Sequence, residues 1–145
     1  MERTVLIIDD SEDDVLLTKM VLSKLGRKIR AESASSGEKG LAFLRDVTEL
    51  PALVLLDLKM PGMDGFDVLA WLRNHPQFRL IPAFVLSGSM LQEDVEKAYR
   101  LGARGYLVKP VEFRDIVRSL RALFAFWSNA ALPSTCAGAI AASMW

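Results

Sequence analysis

The fold is decided by the stretch Ala52-Leu53-Val54-Leu55-Leu56-Asp57, which runs directly into Leu58-Lys59-Met60-Pro61-Gly62-Met63-Asp64-Gly65. An unbroken run of Leu and Val, bounded by Pro51 and by a Pro/Gly turn, predicts a strand that is buried on both faces. A carboxylate without a partner cannot stay inside such a strand, so Asp57 must emerge where the strand ends. In parallel α/β sheets ligands bind at that edge, which makes Asp57 the first candidate functional residue.

Four further apolar runs flank this one and alternate with segments of helical periodicity. The predicted strands are residues 4–8, 29–33, 52–57, 81–86 and 105–108. Apolar residues spaced three and four apart predict a helix after each strand, and the last helix, from Phe113 to Trp127, is strongly amphipathic. Five strands alternating with five helices indicate an α/β fold, with a parallel sheet covered by helices on both faces.

The bulk composition fits one folded domain followed by a short tail. The chain has 145 residues, of which 51% are hydrophobic, enough for a proper core. We predict a domain over residues 1–129 and a C-terminal tail over 130–145. From Pro133 the residues are small and lack periodicity, so we expect the tail to be frayed or docked on a partner.

Charge and cysteine content exclude several classes of protein. The 18 basic and 18 acidic residues cancel, which gives no electrostatic reason to expect nucleic acid or a membrane as partner. The single Cys136 rules out an intramolecular disulfide. No apolar run approaches the roughly 18 to 20 residues of a membrane helix, and the N-terminal run stops at Asp9-Asp10. We expect a cytoplasmic protein.

Polar residues follow the predicted strands where each strand ends. Strand one ends in Asp9-Asp10, strand three in Asp57, strand four in Ser87 and strand five in Lys109. Because the carboxyl ends of parallel strands share one edge, these side chains are predicted to meet in one crevice. The crevice would gather three carboxylates, a hydroxyl and an ammonium.

The charge of this crevice predicts its ligands. Two carboxylates 4 Å apart repel by about 4 kcal/mol at an effective dielectric constant near 20, and Lys109 alone cannot offset three of them. A divalent cation with oxygen ligands can, and Mg²⁺ (or Mn²⁺) suits such a site. A phosphoryl group is the natural further ligand, because the metal and Lys109 would neutralise it and Ser87 would donate a hydrogen bond. Asp57 would be the nucleophile, while Asp9, Asp10, Asp57 and the backbone carbonyl of Lys59 would hold the metal.

These residues together resemble the receiver domain of two-component response regulators over about residues 4–126. The shared features are Asp9-Asp10, Asp57 with the turn through Gly65, Ser87, Gly102-Ala103 before Tyr106, and Lys109-Pro110. The resemblance implies a flavodoxin-like (CheY-like) doubly wound sheet of order 2-1-3-4-5. It also implies that a sensor histidine kinase phosphorylates Asp57, and that Ser87 and Tyr106 then change rotamer and reshape the face formed by the fourth helix, fifth strand and fifth helix.

A narrower resemblance is to single-domain regulators that partner bacterial phytochrome-type kinases. It depends on Asp13-Asp14-Val15, on the stretch 109–113 and on Phe126-Trp127 before Leu132-Pro133. Members of that group tend to be homodimers, so a homodimer is one implied partner state. The general resemblance also implies a cis Lys109–Pro110 bond. Two residues depart from the commonest receiver pattern. Ser87 stands where Thr is frequent, and Lys59 lies two residues after the acceptor.

We therefore predict a stand-alone phosphorylation switch, without classical enzyme turnover, that acts through protein contacts or by passing the phosphoryl group onward. Self-phosphorylation with Mg²⁺ and slow autodephosphorylation are expected. One alternative is a degenerate receiver that acts as a phosphorylation-independent docking module. Another is a metal-dependent phosphatase that also uses an Asp nucleophile. Such enzymes are typified by a D-x-D pattern, and this chain has Lys59 in place of the second Asp. We expect His75 to be a surface loop residue, and the aromatic cluster Phe124, Phe126 and Trp127 to be core rather than interface.

Overall fold

The structure, a computed structural model, describes residues 3–25 and 29–129. Within these residues strands and helices alternate throughout. The strands are β1 (Arg3–Ile8), β2 (Ile29–Ala34), β3 (Leu53–Leu56), β4 (Ala83–Ser87) and β5 (Gly105–Val108). The helices are α1 (Glu12–Ser23), α2 (Gly37–Asp46), α3 (Gly65–Asn74), α4 (Gln92–Arg100) and α5 (Phe113–Asn129).

The strands form one parallel sheet of order β2-β1-β3-β4-β5, which confirms the predicted topology. β3 lies at the centre, with Leu56 opposite Ile8 of β1 and Val85 of β4. β4 begins two residues later than predicted, because Pro82 has no N–H with which to join the ladder, and it extends to Ser87. The candidate hydroxyl therefore belongs to the last residue of a strand.

Both faces of the sheet are buried at its centre, which is why β3 has no polar alternation. Leu6, Ile8, Val54 and Leu56 point into one hydrophobic cluster, and the intervening residues of β1 and β3 point into the other. Since successive side chains of a strand alternate between faces, a strand covered twice must be apolar throughout. Asp57 is the first charged residue beyond this run, as the sequence predicted.

The aromatic end of α5 is divided between core and surface. Phe124 and Trp127 are fully buried against β1 and β3, which confirms the core interpretation for them. Phe126 is 65% exposed, so the same interpretation is wrong for that residue. The predicted helix stop at Gly26 and the predicted tail 130–145 lie outside the described residues. Among the helices that the structure describes, none has the length and apolar character needed to cross a bilayer.

His75 is better anchored than a loop histidine would be. It terminates α3, its ring stacks on Trp71 with 4.0 Å between centroids, and its Nδ1 lies 2.7 Å from the carbonyl oxygen of Trp71. His75 does lie outside the helix, as expected of a loop residue, but it is half-buried and its contacts with Trp71 were not predicted. The carbonyls at a helix C-terminus lack intrahelical donors, and the His75 ring meets one of them.

Candidate functional site

Backbone hydrogen bonds continue past β1 and β3 and fix the direction of the first carboxylates. The Asp9 N–H donates to the carbonyl of Ala34 (3.1 Å), and the Asp57 N–H donates to the carbonyl of Ile8 (2.9 Å). Ser11 caps α1 by accepting a hydrogen bond from the Asp14 N–H. Because Ser11 performs the capping, Asp9 and Asp10 are left for other chemistry.

The turn after β3 is built so that α3 can start directly behind Asp57. Gly62 has φ = +74°, a conformation that L side chains rarely adopt. A Cβ on Gly65 would collide with the carbonyl oxygen of Asp57 and lie 2.7 Å from Cα of Leu58. Asp64 and Asp67 form a capping box that begins α3. The two glycines and this cap hold the acceptor strand end in place.

Three predicted carboxylates do converge at the sheet edge. One oxygen from each of Asp9, Asp10 and Asp57 lies within 4.8 Å of the other two. Asp9 and Asp57 are buried, while Asp10 is exposed. Hard divalent cations prefer such an oxygen-only set, and the exposed Asp10 leaves an entry from solvent. The arrangement suits a divalent metal.

Lys109 joins this cluster from the end of β5. Its Nζ lies 3.2 Å from Oδ2 of Asp9, 3.2 Å from Oδ2 of Asp57 and 2.7 Å from Oδ2 of Asp14. Burial acts to lower the pKa of Lys109, but the hydrogen bond to Asp14 and the charges of Asp9 and Asp57 outweigh it and raise the pKa. Lys109 is therefore a permanent cation in the crevice.

The pKa of Asp9 is raised by its position in the crowded crevice. Burial raises the pKa of Asp9 to about 6, against the lowering effects of the Ser11 N–H (2.9 Å) and of Lys109. The negative charge of Asp57 adds to the increase. Lys109 therefore does not fully neutralise the acids, which leaves an electrostatic demand for a cation.

The Lys109–Pro110 bond is trans, since no peptide bond in residues 3–25 and 29–129 is cis. The expectation of a cis bond is therefore wrong. The Lys109 N–H donates to the carbonyl of Ser87 (2.7 Å) while its ammonium contacts the acids. Both the backbone N–H and the ammonium of Lys109 therefore have partners with the bond in the trans form, which X–Pro bonds favour.

Ser87 and Tyr106 form a second group, joined through Ser89. Ser87 is fully buried, and its Oγ accepts a hydrogen bond from the Ser89 N–H (3.2 Å). The Tyr106 hydroxyl donates to the Ser89 carbonyl (3.0 Å), and its half-buried ring packs on the core. The two predicted switch residues are thus coupled through one loop residue.

Lys59 lies beside the site, but its ammonium is directed elsewhere. Its N–H donates to Oδ1 of Asp57 (3.4 Å). Its Nζ pairs with Oδ2 of Asp94 on α4 at 3.4 Å. The metal contact predicted for the Lys59 carbonyl stays a prediction.

Sequence reasoning missed three residues of this region: Asp14, Ser89 and Asp94. A signal for Asp14 existed, because S-x-x-D starting at Ser11 predicts a helix start that puts Asp14 in its first turn, close to Asp10. Ser89 and Asp94 had no comparable signal, since their contacts depend on the conformation of the loop between β4 and α4.

Comparison with known proteins points in one direction. The model of the family described as "Response regulator receiver domain" matches residues 5–121. Response regulator Rcp1 from Synechocystis sp. is 31% identical over 86% of this chain and 88% of its own length. The phosphorylated cyanobacterial phytochrome response regulator RcpA superposes with a TM-score of 0.88 at 28% identity, over 92% of this chain and 100% of RcpA. The Mn²⁺-bound form of Rcp1 gives 0.86 at 30% identity, over 90% and 99% of the two chains.

Proposed function

Because the chain belongs to the response regulator receiver family, we propose that Asp57 is the residue through which this two-component response regulator accepts its phosphoryl group. The observation that carries the proposal is the meeting of Asp9, Asp10, Asp57 and Lys109 at one sheet edge. A carboxylate oxygen of Asp57 forms the new P–O bond, the P–N bond of a kinase phosphohistidine breaks, and the imidazole nitrogen leaves with its electron pair.

Each neighbour of Asp57 has a separate role in this proposal. Asp9, Asp10, Asp57 and the Lys59 carbonyl would hold Mg²⁺ or Mn²⁺, which neutralises charge on the phosphoryl oxygens when bound. Lys109 pairs with one phosphoryl oxygen. Ser87 gives up its contact with the Ser89 N–H and donates to another oxygen, while Tyr106 carries the change toward α4 and β5. The phosphoryl group interacts more favourably with this rearranged conformation than with the unphosphorylated one. Phosphorylation therefore shifts the conformational equilibrium toward the rearranged state.

The direct test is to incubate the purified chain with acetyl phosphate and Mg²⁺ and to measure its intact mass. We expect one phosphoryl group to add and then to be lost slowly without any other protein. A docking module would add none and would also fail to respond to beryllofluoride, a stable phosphoryl mimic. The described residues favour the switch, because the acids and Lys109 that a docking module does not need are all in place.

Magnesium binding is expected to weaken as the pH falls through about 6. The raised pKa of Asp9, about 6, means that the folded chain keeps a proton between about pH 4 and 6 that the unfolded chain has released. The metal-free protein therefore loses stability from Asp9 as the pH rises through that window, and Mg²⁺ regains it by replacing the proton. We expect Mg²⁺ affinity to be about tenfold lower at pH 5 than at pH 7.5, measured by calorimetry.

Two variants separate Asp9 from other titrating groups in this experiment. Asp9→Asn should bind Mg²⁺ weakly with little change between the two pH values. His75→Gln should keep the wild-type dependence, because His75 contacts Trp71 at the end of α3 and not the acids of the crevice. A dependence that persists in Asp9→Asn and disappears in His75→Gln would contradict the assignment.

We further propose that the kinase docks on the apolar groove between α1 and the start of α5. Leu16, Met20 and Phe113 are 66%, 47% and 60% exposed and line a groove of about 520 Å³. α1 begins shortly after Asp9 and Asp10, and α5 begins shortly after Lys109, so the groove adjoins the acceptor crevice. A phosphohistidine donor that reaches Asp57 would place apolar side chains of its own there. The likeness to Rcp1 and RcpA supports a phytochrome-type kinase as the donor.

Leu16→Ser is expected to slow transfer from the cognate kinase by about 5- to 30-fold, the effect of removing an interface hot spot. Labelling by acetyl phosphate should not change, because that donor needs no docking surface. Tyr99→Ser, which removes an exposed aromatic from α4, is the matched control and should leave both rates near wild type. Equal slowing with both donors would show that Leu16 affects the crevice and not docking.

The remaining partner states stay predictions. The exposed Phe126 near the end of α5 supports a homodimer contact there. A downstream protein or phosphotransfer partner, and a cytoplasmic location, complete the proposed role.

A further inference from the structure

An ion pair links the loop that carries the acceptor to the first turn of α4. Lys59, two residues after Asp57, places its Nζ 3.4 Å from Oδ2 of Asp94. The Lys59 side chain is 62% exposed, whereas that of Asp94 is only 13% exposed. The carboxylate is thus fixed, and the ammonium is the member of the pair that is free to move.

Asp94 is held in place by Ser89. The Ser89 Oγ donates to Oδ2 of Asp94 at 2.5 Å and accepts from the Leu91 N–H. Leu91, the N-cap residue of α4, has no side-chain capping bond, so this contact between Ser89 and Asp94 supports the start of the helix. The hydrogen bond from Ser89, followed by the contacts with Lys59, lowers the pKa of Asp94. Asp94 is therefore an ionised counter-ion for Lys59.

The Lys59 backbone meanwhile touches the acceptor, because its N–H donates to Oδ1 of Asp57. A phosphoryl group on Asp57 brings oxygens that share about two negative charges close to the base of the Lys59 side chain. The ammonium then has two anions within reach, the carboxylate of Asp94 and the new phosphoryl group. Only one flexible side chain must rotate for it to change partner.

We propose that Asp94 is a positioning residue that holds the Lys59 ammonium away from Asp57 in the unphosphorylated protein. This inference rests on the proposed function of Asp57. Phosphorylation draws Lys59 to the phosphoryl oxygens and leaves Asp94 with Ser89 alone, which loosens the first turn of α4. By reciprocity, removing the charge of Asp94 strengthens anion binding at Asp57.

The test is a double-mutant cycle read by the affinity of the Mg²⁺-loaded protein for beryllofluoride. Asp94→Asn keeps an acceptor for Ser89 but releases Lys59, and we expect it to bind beryllofluoride about 2- to 5-fold more tightly, the scale of a partly exposed ion pair. Lys59→Met should bind more weakly than wild type. Adding Asp94→Asn to Lys59→Met should change nothing further, because the ammonium is already gone.

Glu93→Gln is the matched control, since it removes the same charge from an exposed neighbour of Asp94 in the first turn of α4. It should leave the affinity within error of wild type. An unchanged or weaker affinity in Asp94→Asn, an equal gain in Glu93→Gln, or a gain that persists without Lys59 would each overturn the inference. Failure of wild type to bind beryllofluoride at all would instead overturn the proposed function of Asp57.

Discussion

Asp57→Asn is expected to abolish phosphoryl addition from both acetyl phosphate and the cognate kinase. The amide keeps the shape of the side chain but loses the anionic oxygen that forms the P–O bond. It also replaces one of the three carboxylate ligands within 4.8 Å of each other by a neutral amide, so Mg²⁺ binding should weaken as well. Intact mass spectrometry under conditions that label wild type measures the result directly.

The loss of labelling should not come from unfolding. Asp57 is buried beside the negatively charged Asp9, so its replacement by a neutral amide relieves repulsion in the metal-free protein. We expect a melting temperature equal to or above that of wild type. Asp46→Asn, a change at an exposed carboxylate on α2, is the control and should label normally. Mass addition to Asp57→Asn at the wild-type rate would place the acceptor elsewhere.

The fold was predictable because burial on both sides leaves a strong mark on a central strand. β3 must be apolar at every position, so its four residues, Leu53–Leu56, stand out against the helical segments. The ends of parallel strands also share one edge, which is why Asp9, Asp10, Asp57 and Lys109 meet as predicted. These inferences depend only on chain direction and side-chain alternation.

Contacts that depend on helix starts and loop conformation were not predictable in the same way. The apolar periodicity of α1 begins at Leu17, whereas the helix starts at Glu12. The S-x-x-D pattern at Ser11 indicates that start, but no pattern indicates that Asp14 lies 2.7 Å from Lys109. The pairing of Lys59 with Asp94 depends on the path of a loop with no apolar pattern. Contacts of this kind join polar residues, so the periodicity of apolar residues does not reveal them.

Lys109→Met is expected to slow phosphoryl transfer while it tightens Mg²⁺ binding. Methionine keeps much of the apolar stem but removes the cation that pairs with the phosphoryl oxygen. A hydrogen bond to a charged group contributes about 1.5–3 kcal/mol, which corresponds to a rate about 10- to 150-fold lower with acetyl phosphate. The acids at 2.7 and 3.2 Å lose their partner, so their attraction for a divalent cation increases.

The same charges predict the stability of this variant. Without Lys109 the buried Asp9 and Asp57 are left without their cation, and we expect the metal-free protein to lose about 1–3 kcal/mol of unfolding free energy. Mg²⁺ should restore more stability to Lys109→Met than to wild type, which thermal unfolding with and without the metal would measure. Lys24→Met, at an exposed lysine that ends α1, is the control and should change neither labelling nor the Mg²⁺ response. Weaker Mg²⁺ binding in Lys109→Met would contradict the electrostatic account, because it would mean that the lysine supports the metal site and does not compete with it.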